Sequence, residues 1–472
     1  MRIQSTLLAS LLGLACSASA AMSWVHPGTL DGKAELDYVK TQIAAGAAPW
    51  TSMLTSLGYA EDIDAPPTPE TSINANTGGN NSRDDARRAY GNALTWYLTG
   101  NENNAKQAIA ILNAWSGLQS ITATDQQKYL QAGWIGSLFG PAADLMLGYP
   151  GWAAADIAKL RAMFVRAFYP NLNIASSWNG NVDLHQISAM MSIAVFNEDE
   201  TEFNLGLTRL ASRMPKYFYL TTDAQPSASL WSNPALWVNG LTQETCRDNN
   251  HHAQFGMSGA IGAMETAWHQ GVDVYTTYQT RMVATMELMG LQSNSGDMQG
   301  VCGTTGTSPE GGLPRNTASS DVYDTWEIGY NHYKTRKNIP MPNTGSMITS
   351  KVRSAWNGGG SWSIFYETLT HGDIPLASNS SSISGKPTNY GQLGASVSLH
   401  GNGMIEILAN QAASYEITTL GINGSQVSQT TINPVAGKSQ LVSLGLNGAP
   451  AGMYLVQVRT GRGSSLIKYI KP

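Results

Sequence analysis

The sequence predicts a mainly α protein: an (α/α) toroid, or incomplete barrel, of antiparallel helical hairpins, followed by a small C-terminal antiparallel β-sandwich. Three observations carry that prediction. From about Leu36 to Gly290 apolar residues recur at three and four positions, the spacing of one helix face. The runs are many and similar in length, with no strand-like alternation between them, which suits hairpins closed into a ring better than a four-helix bundle. After Ala395 the period changes to two, in short runs separated by Gly, Asn and Pro.

Taken in order, the first twenty residues, MRIQSTLLASLLGLACSASA, place Arg2 before an apolar run and end on Ala18-Ser19-Ala20. This is the pattern of an export signal, so a secreted or cell-surface product is expected, a periplasmic one included. Cys16 lacks an apolar residue three positions ahead, which argues against a lipid anchor. Residues 21–371 are read as the toroid. Its helical runs are Arg83 to Leu98, Ala105 to Trp115, Gly133 to Leu147, Ile157 to Phe168, Leu184 to Phe196, Glu202 to Met214 and Gln254 to His269. Residues 372–394 are rich in Ser, Gly, Asn and Pro and read as a linker or a set of surface turns. Residues 395–472 hold the alternating runs SVSLHG, MIEILA, YEITTLG, QLVSLGL and MYLVQVRT. That region has no dense acid or His cluster and reads as a non-catalytic accessory module.

Composition narrows the function. With 472 residues, two or three domains are expected. Charged residues are only 13% and the formal net charge is −5, so there is no basic surplus for nucleic acid or an anionic membrane. No later stretch reaches the ~18 apolar residues of a membrane span. An acidic polysaccharide fits, because a locally basic cleft can sit in a mildly acidic whole. Beyond Cys16 there are two cysteines, Cys246 and Cys302, whose pairing the sequence leaves open and whose spacing does not suit zinc. No metal or cofactor is expected, and no nucleophile elbow, phosphate loop or dinucleotide fingerprint occurs. The oligomeric state is left open.

Three polar stretches could carry chemistry. SSWNGNVDLHQ sets Trp178, Asn179, Asn181, Asp183 and His185 at a helix start, where they read either as caps or as a sugar-binding group. QETCRDNNHHAQFG sets Glu244, Arg247, Asp248, His251 and His252 before an apolar helix. Two adjacent His beside Arg and Asp are less easily explained by packing, and a His can act as acid, base or charge stabiliser. PEGGLPRNTASSDVYDTWEIGYNHYKTR concentrates Arg315, Tyr323, Glu327, Tyr330, Asn331, His332, Tyr333 and Arg336 after a long Gly-rich loop of the kind that is often functional. Tyr330 and Tyr333, three apart, also suit one face of a core helix.

The segments RDDARRAYGNALTWYLTGNENNAKQAIAILNAW, LQAGWIGSLFGPAADLM, WNGNVDLHQISAMMSIAVFNED, QETCRDNNHHAQFGMSGAIGAMETAWHQGVDVY and YDTWEIGYNHYKTRKNIPMPNT resemble, in order, blocks of the alginate lyase superfamily of helical-toroid polysaccharide lyases. The chain's end, through GMYLVQVRT to KYIKP, resembles the C-terminal sorting domains of type IX secretion substrates. The first resemblance implies syn β-elimination on a 1,4-linked polyuronate. The C5 proton is too weakly acidic until the neighbouring carboxylate is neutralised, which Asn, His and Arg can do. A Tyr then takes the proton and returns it to the leaving oxygen, helped by nearby cations because an unshifted Tyr titrates near pH 10.

Carried over, Asn181 is the neutralising residue, Tyr323 the acid-base residue and Arg315 the Arg before it. Counting from Arg247 selects His251 as the family's His, and counting back from Gly256 selects His252, which is preferred because its spacing to the following helix is kept. Trp178, Asn179, His185, Arg247, Tyr330, His332, Tyr333 and Arg336 are expected to bind substrate. D-mannuronate and D-glucuronate polymers fit alike, since they differ only at C2. Two alternatives remain: a helical-toroid glycoside hydrolase using carboxylates among Asp183, Asp248, Glu310 and Glu327, and a non-catalytic protein that binds acidic glycans.

Overall fold

The computed structural model describes residues 22–60, 65–76, 80–296, 300–310, 321–353, 360–374, 388–390, 395–400, 403–421, 425–446, 448–450, 452–461 and 463–471. The export-signal segment, Arg315 and most of the expected linker lie outside the described residues.

The helical part runs α1 (Lys33–Ala44), α2 (Trp50–Ala60), α3 (Asn80–Thr99), α4 (Glu102–Trp115), α5 (Gln127–Met146), α6 (Ala154–Met163), α7 (Tyr169–Leu172), α8 (Gly180–Asn197), α9 (Glu200–Tyr217), α10 (His251–His269), α11 (Val274–Ser295), α12 (Glu327–Tyr330), α13 (Pro342–Met347) and α14 (Glu367–His371). α3, α5, α8 and α10 follow one another around the inside, each packed on the next, with α4 and α9 laid on α3 and α8. This is the helical toroid that the sequence predicts. Burial explains the arrangement. α8 is buried around nearly its whole circumference, as an inner helix must be. α9 buries Phe203, Gly206, Leu210 and Met214, a single stripe at helical spacing, and belongs outside. Close approach of α5 to α8 depends on small residues: a Cβ at Gly133 would come within 2.9 Å of His185, and one at Gly140 within 2.6 Å of Ser192 Oγ.

The N-terminal segment straps the ring. Val25 and Gly28 bond the Gln270 side chain, while His26 and the Gly28 N–H bond Asp144. Beneath it lies a buried ionic network that corrects part of the sequence reading. Arg336 donates to Glu35 of α1 and to Glu265 of α10, the latter at 3.3 Å. His332 stacks on Tyr275 at 3.7 Å, and the Tyr333 hydroxyl donates to the Tyr275 carbonyl at 3.1 Å. These three residues, expected at the substrate, are therefore spent in the interior. A π-helical turn over Asn331–Arg336 breaks the three-apart register, so Tyr333 is fully buried while Tyr330 is half-buried beside Gly345. Glu35, Glu265 and His269 each bring one ligand atom within 4.8 Å of the others, but the Arg336 guanidinium sits on both carboxylates and supplies the countercharge.

This network sets a pH window for stability. Burial alone would lower the His269 imidazole, but the charges of Glu35 and Glu265, 3.6 and 3.3 Å from its Nε2, raise it to about 9. Burial would raise Glu35, but His269 and then Arg336 bring it down to about 2. A group raised on folding stabilises fully below its unfolded value and is lost as pH rises through the folded one. The His269 contribution, on the order of 3 kcal/mol, is thus expected to fade between pH 6.5 and 9. That of Glu35 fades as pH falls from 4.5 towards 2. Denaturant unfolding at pH 6 and pH 9.5 checks this: wild type loses stability over that interval, and His269→Gln flattens the loss.

Within the helical part β1 (Ser72–Asn74) pairs in parallel with β2 (Ser120–Thr122), and the C-terminal strands are β3 (Thr388–Tyr390), β4 (Ala395–His400), β5 (Met404–Ala409), β6 (Tyr415–Gly421), β7 (Gln426–Ile432), β8 (Ser439–Ser443), β9 (Gly452–Thr460) and β10 (Gly463–Lys471). They form two antiparallel four-stranded sheets, ordered β10-β9-β6-β7 and β3-β4-β5-β8. Ile405, Ile407 and Val442 from one sheet share a core with Tyr415, Ile417, Val456 and Val458 from the other, separate from the helical core. Among the described residues no helix is long and apolar enough to cross a membrane.

Candidate active site

Three segments meet at one end of the inner helices: the start of α8, the loop 242–250 leading into α10, and residues 321–326. Asn179 is the N-cap of α8 in extended conformation, and its side chain makes no capping bond. The cap reading therefore does not account for that side chain. Trp178 just before it is 39% exposed. Asn181, buried in the first turn, gives its Nδ2 to both oxygens of Glu244, at 2.7 and 2.8 Å. Glu244 also accepts from the Tyr217 hydroxyl at 2.7 Å and from Arg247 at 2.5 Å. Burial raises the Glu244 carboxyl above the ordinary range, against the lowering pull of Tyr217, Asn181 and Arg247. The result is a buried carboxyl with three hydrogen-bonding neighbours.

A close approach makes this group possible. A Cβ at Gly256 would stand 2.0 Å from the Tyr217 hydroxyl. Gly256→Ala is expected to push Tyr217 off Glu244 and to cost about 1–3 kcal/mol of stability, readable as a fall in unfolding free energy. The tetrad spacing that singles out Gly256 in the sequence thus has a steric cause.

The loop before α10 ends with Asn249 and Asn250 in the left-handed region, at φ 53° and 70°, which Asn tolerates better than most residues. Cys246, bonded to Cys302, ties this loop to the segment around Val301. The turn delivers two His into the first turn of α10. His252 is held by Asp248, which accepts from its backbone N–H at 3.1 Å and bonds its Nδ1. His251 Nδ1 lies 2.6 Å from Asp321 Oδ2 and 3.3 Å from the Tyr323 hydroxyl. Phe255, one turn on, packs against Tyr323 at 4.7 Å, His251 at 5.2 Å and His252 at 5.7 Å. The Tyr323 segment is fixed from behind: Gln254 accepts from the Tyr323 N–H, and Glu367 accepts from the N–H groups of Thr325 and Trp326 at 2.6 and 2.7 Å.

Asn181, Arg247, His251, His252 and Tyr323 are therefore gathered at one place. The hydroxyl of Tyr323 is nearest to His251, the option that spacing left second. Among the described residues no cation lowers Tyr323, and Arg315, which the sequence reading places before it, lies outside them. Burial, then the charges of Asp321 and Asp248, push its phenol up to about 12. His185 is fully buried rather than lining the opening, and burial brings it down to about 3, so it is neutral. The sequence alone assigns no role to Glu244 and does not single out Tyr217. A Glu three before an Arg is the available signal.

The carboxylates that a hydrolase would need are each tied to a basic side chain. Asp183 pairs with Arg209 and Arg213, Asp248 with His252, Glu310 with Arg247, and Glu327 with Arg353. Asp248, His252 and Glu310 bring ligand atoms within 4.8 Å of one another, with Arg247 already donating to Glu310 at 2.6 Å.

Residues 29–218 match the family model described as alginate lyase, a stretch that includes Asn181 and ends before α10. No curated protein matches the chain. In fold it is similar to alginate lyase A1-III from Sphingomonas species A1, with a TM-score of 0.52 at 13% identity over 75% of this chain and 97% of that one. It is also similar to a substituted alginate lyase A1-III complexed with a tetrasaccharide, with a TM-score of 0.53, the same identity and the same coverage. At that identity the likeness is one of fold.

Proposed function

We propose that this chain, a polysaccharide lyase, cleaves a 1,4-linked polymer of D-uronate by syn β-elimination. The observation that carries the reading is the pairing of one phenol, Tyr323, with His251 at 3.3 Å beside the Asn181–Glu244–Arg247 group. Asn181 and His252 neutralise the carboxylate of the sugar whose C5–H is attacked, with Arg247 and Glu244 setting their surroundings, so that charge can build on an enolate-like state. The Tyr323 oxygen takes the C5 proton. The C4–C5 double bond forms as the C4–O4 bond breaks, and the same phenol gives its proton to the departing O4. One chain becomes two, one carrying an unsaturated uronate at its new end, and no water is consumed.

Polymannuronate and glucuronan both present C4 and C5 in the configuration this needs, whereas L-guluronate presents the C5 proton on the opposite face. Carboxylate neutralisation by side chains requires no metal. The leader-like first twenty residues support export, and the C-terminal sheet domain is assigned as a sorting or accessory module of the type IX kind.

The test is absorbance at 235 nm from purified mature protein on polymannuronate, polyguluronate and glucuronan, with EDTA present. A rise on a D-uronate polymer is the expected result. Silence on all three with growing reducing ends would turn the reading to hydrolysis, and a reversible loss in EDTA would overturn the metal-free mechanism.

A further inference from the structure

We propose that Gln254, a buried amide on α10, is a positioning residue for the elimination: it holds Tyr323 within reach of His251 and acts on the reaction only through that phenol. The inference rests on the lyase reading above and deepens it, by naming what sets the geometry of the proton carrier. Tyr323 stands on a segment with little regular structure of its own. Residues 321–326 belong to no helix, and the bridge they make joins Asp324 to Gly360. The Gln254 side chain takes the place of a neighbouring strand. Its Nε2 donates to the Asp321 carbonyl at 3.2 Å, and its Oε1 accepts from the Tyr323 N–H at 3.3 Å. In extended backbone a C=O and the N–H two residues on point to the same side, and a primary amide offers the donor and the acceptor that such a pair needs.

The same residue holds the segment at two more points. Oε1 also accepts from the Trp326 indole N–H at 3.3 Å, and the Gln254 carbonyl accepts from the Thr325 hydroxyl at 3.2 Å. Asp321, Tyr323, Thr325 and Trp326 are thereby tied to a single position of α10. Gln254 is fully buried, so it works on this backbone rather than on the sugar. It follows His251 by three residues, which puts both on one face of the helix. The amide therefore places Tyr323 relative to His251 itself: the phenol oxygen is 3.3 Å from Nδ1, and the two rings meet edge to face at 5.4 Å. Glu367 takes the N–H groups of Thr325 and Trp326, beyond the phenol, and leaves the Asp321–Tyr323 stretch to Gln254. Proton transfer needs heavy atoms about 2.6–3.2 Å apart, and a misplacement of about 1 Å can cost about 10²-fold in rate.

The competing view is that Gln254 only satisfies buried backbone groups and supports the fold. Gln254→Met, which keeps the length of the side chain and loses both polar ends, separates the two. It is assayed at 235 nm on the D-uronate polymer that wild type cleaves, at a temperature where circular dichroism shows the variant folded. A fall in kcat of about 10–100-fold is expected with KM within about twofold, since the groups that meet the sugar are untouched. In a Tyr323→Phe background the same substitution should change the remaining kcat by less than about twofold, because no phenol is left to place. A folded Gln254→Met with kcat within about twofold of wild type, or an equal loss in both backgrounds, would overturn the positioning role. If Gln254→Met does not fold, Gln254→Asn, whose amide is one methylene too short to reach the segment, goes through the same cycle. Where the Tyr323→Phe background is silent, the split between kcat and KM decides alone. A wild-type enzyme that forms no 235 nm product overturns the polyuronate reading itself, a different failure from a wild type that turns over while folded Gln254 variants keep its kcat.

Discussion

Replacing Tyr323 with Phe is expected to lower kcat by about 10²–10⁴-fold, the range for loss of a positioned proton carrier, with Tm nearly unchanged. The ring contacts to Phe255 and His251 survive the change, and the backbone bonds to Gln254 and Glu367 do not involve the phenol. Only the oxygen near His251 is removed. A variant that kept more than about a tenth of wild-type kcat would refute Tyr323 as the proton carrier. The pH dependence follows from the same group. With the phenol pushed up to about 12, the phenolate fraction of the free enzyme rises about tenfold per pH unit across the neutral range. A base must be deprotonated to act, so kcat/KM is expected to climb from pH 7 to 9. A profile that levels near pH 7 would instead assign proton abstraction to a histidine. Fading of the His269 network over the same interval sets the upper bound, because stability is lost where activity is still rising.

The inner helices are legible in the sequence as apolar runs, yet each run starts later than its helix. The run assigned from Gly133 begins at Gln127, that from Leu184 begins at Gly180, and that from Gln254 begins at His251. The turns outside those runs hold Asn181, His251 and His252. Their side chains are polar because they face the site, so a method that counts apolar residues stops where function begins. For the same reason β7, with polar residues on both faces at a sheet edge, lacks the alternation that marks its partner β6. His332, Tyr333 and Arg336 show the converse. Aromatic and charged residues close together in sequence suggested a sugar site, whereas a π-helical turn and two buried glutamates from distant helices draw them inward. Nothing local in the sequence announces Glu35 as the partner of Arg336.

The pairing of Asn181 with Glu244 yields the sharpest test of how carboxylate charge is neutralised. Asn181 donates its amide to Glu244 in the free protein, which leaves only its carbonyl oxygen, an acceptor, for anything else. A substrate carboxylate needs a donor. The amide can turn over and offer Nδ2 to substrate only if Glu244 carries a proton to give to the amide oxygen. Burial favours that proton, and the arrival of a further negative charge favours it more. Asn181→Ala is accordingly expected to lose about 10²–10³ in kcat/KM, as for removal of one preorganised donor. Glu244→Ala should lose a similar amount, and the double variant little more, because the two act as one unit. Glu244→Gln separates the protonated acid from the anion. A glutamine amide can donate to the Asn181 oxygen as the protonated acid does, so this variant should keep activity within about tenfold of wild type despite losing the charge that faces Arg247. If Glu244 works as an anion that orients Arg247, Gln should be as damaging as Ala, and the turned-over amide would have to be abandoned.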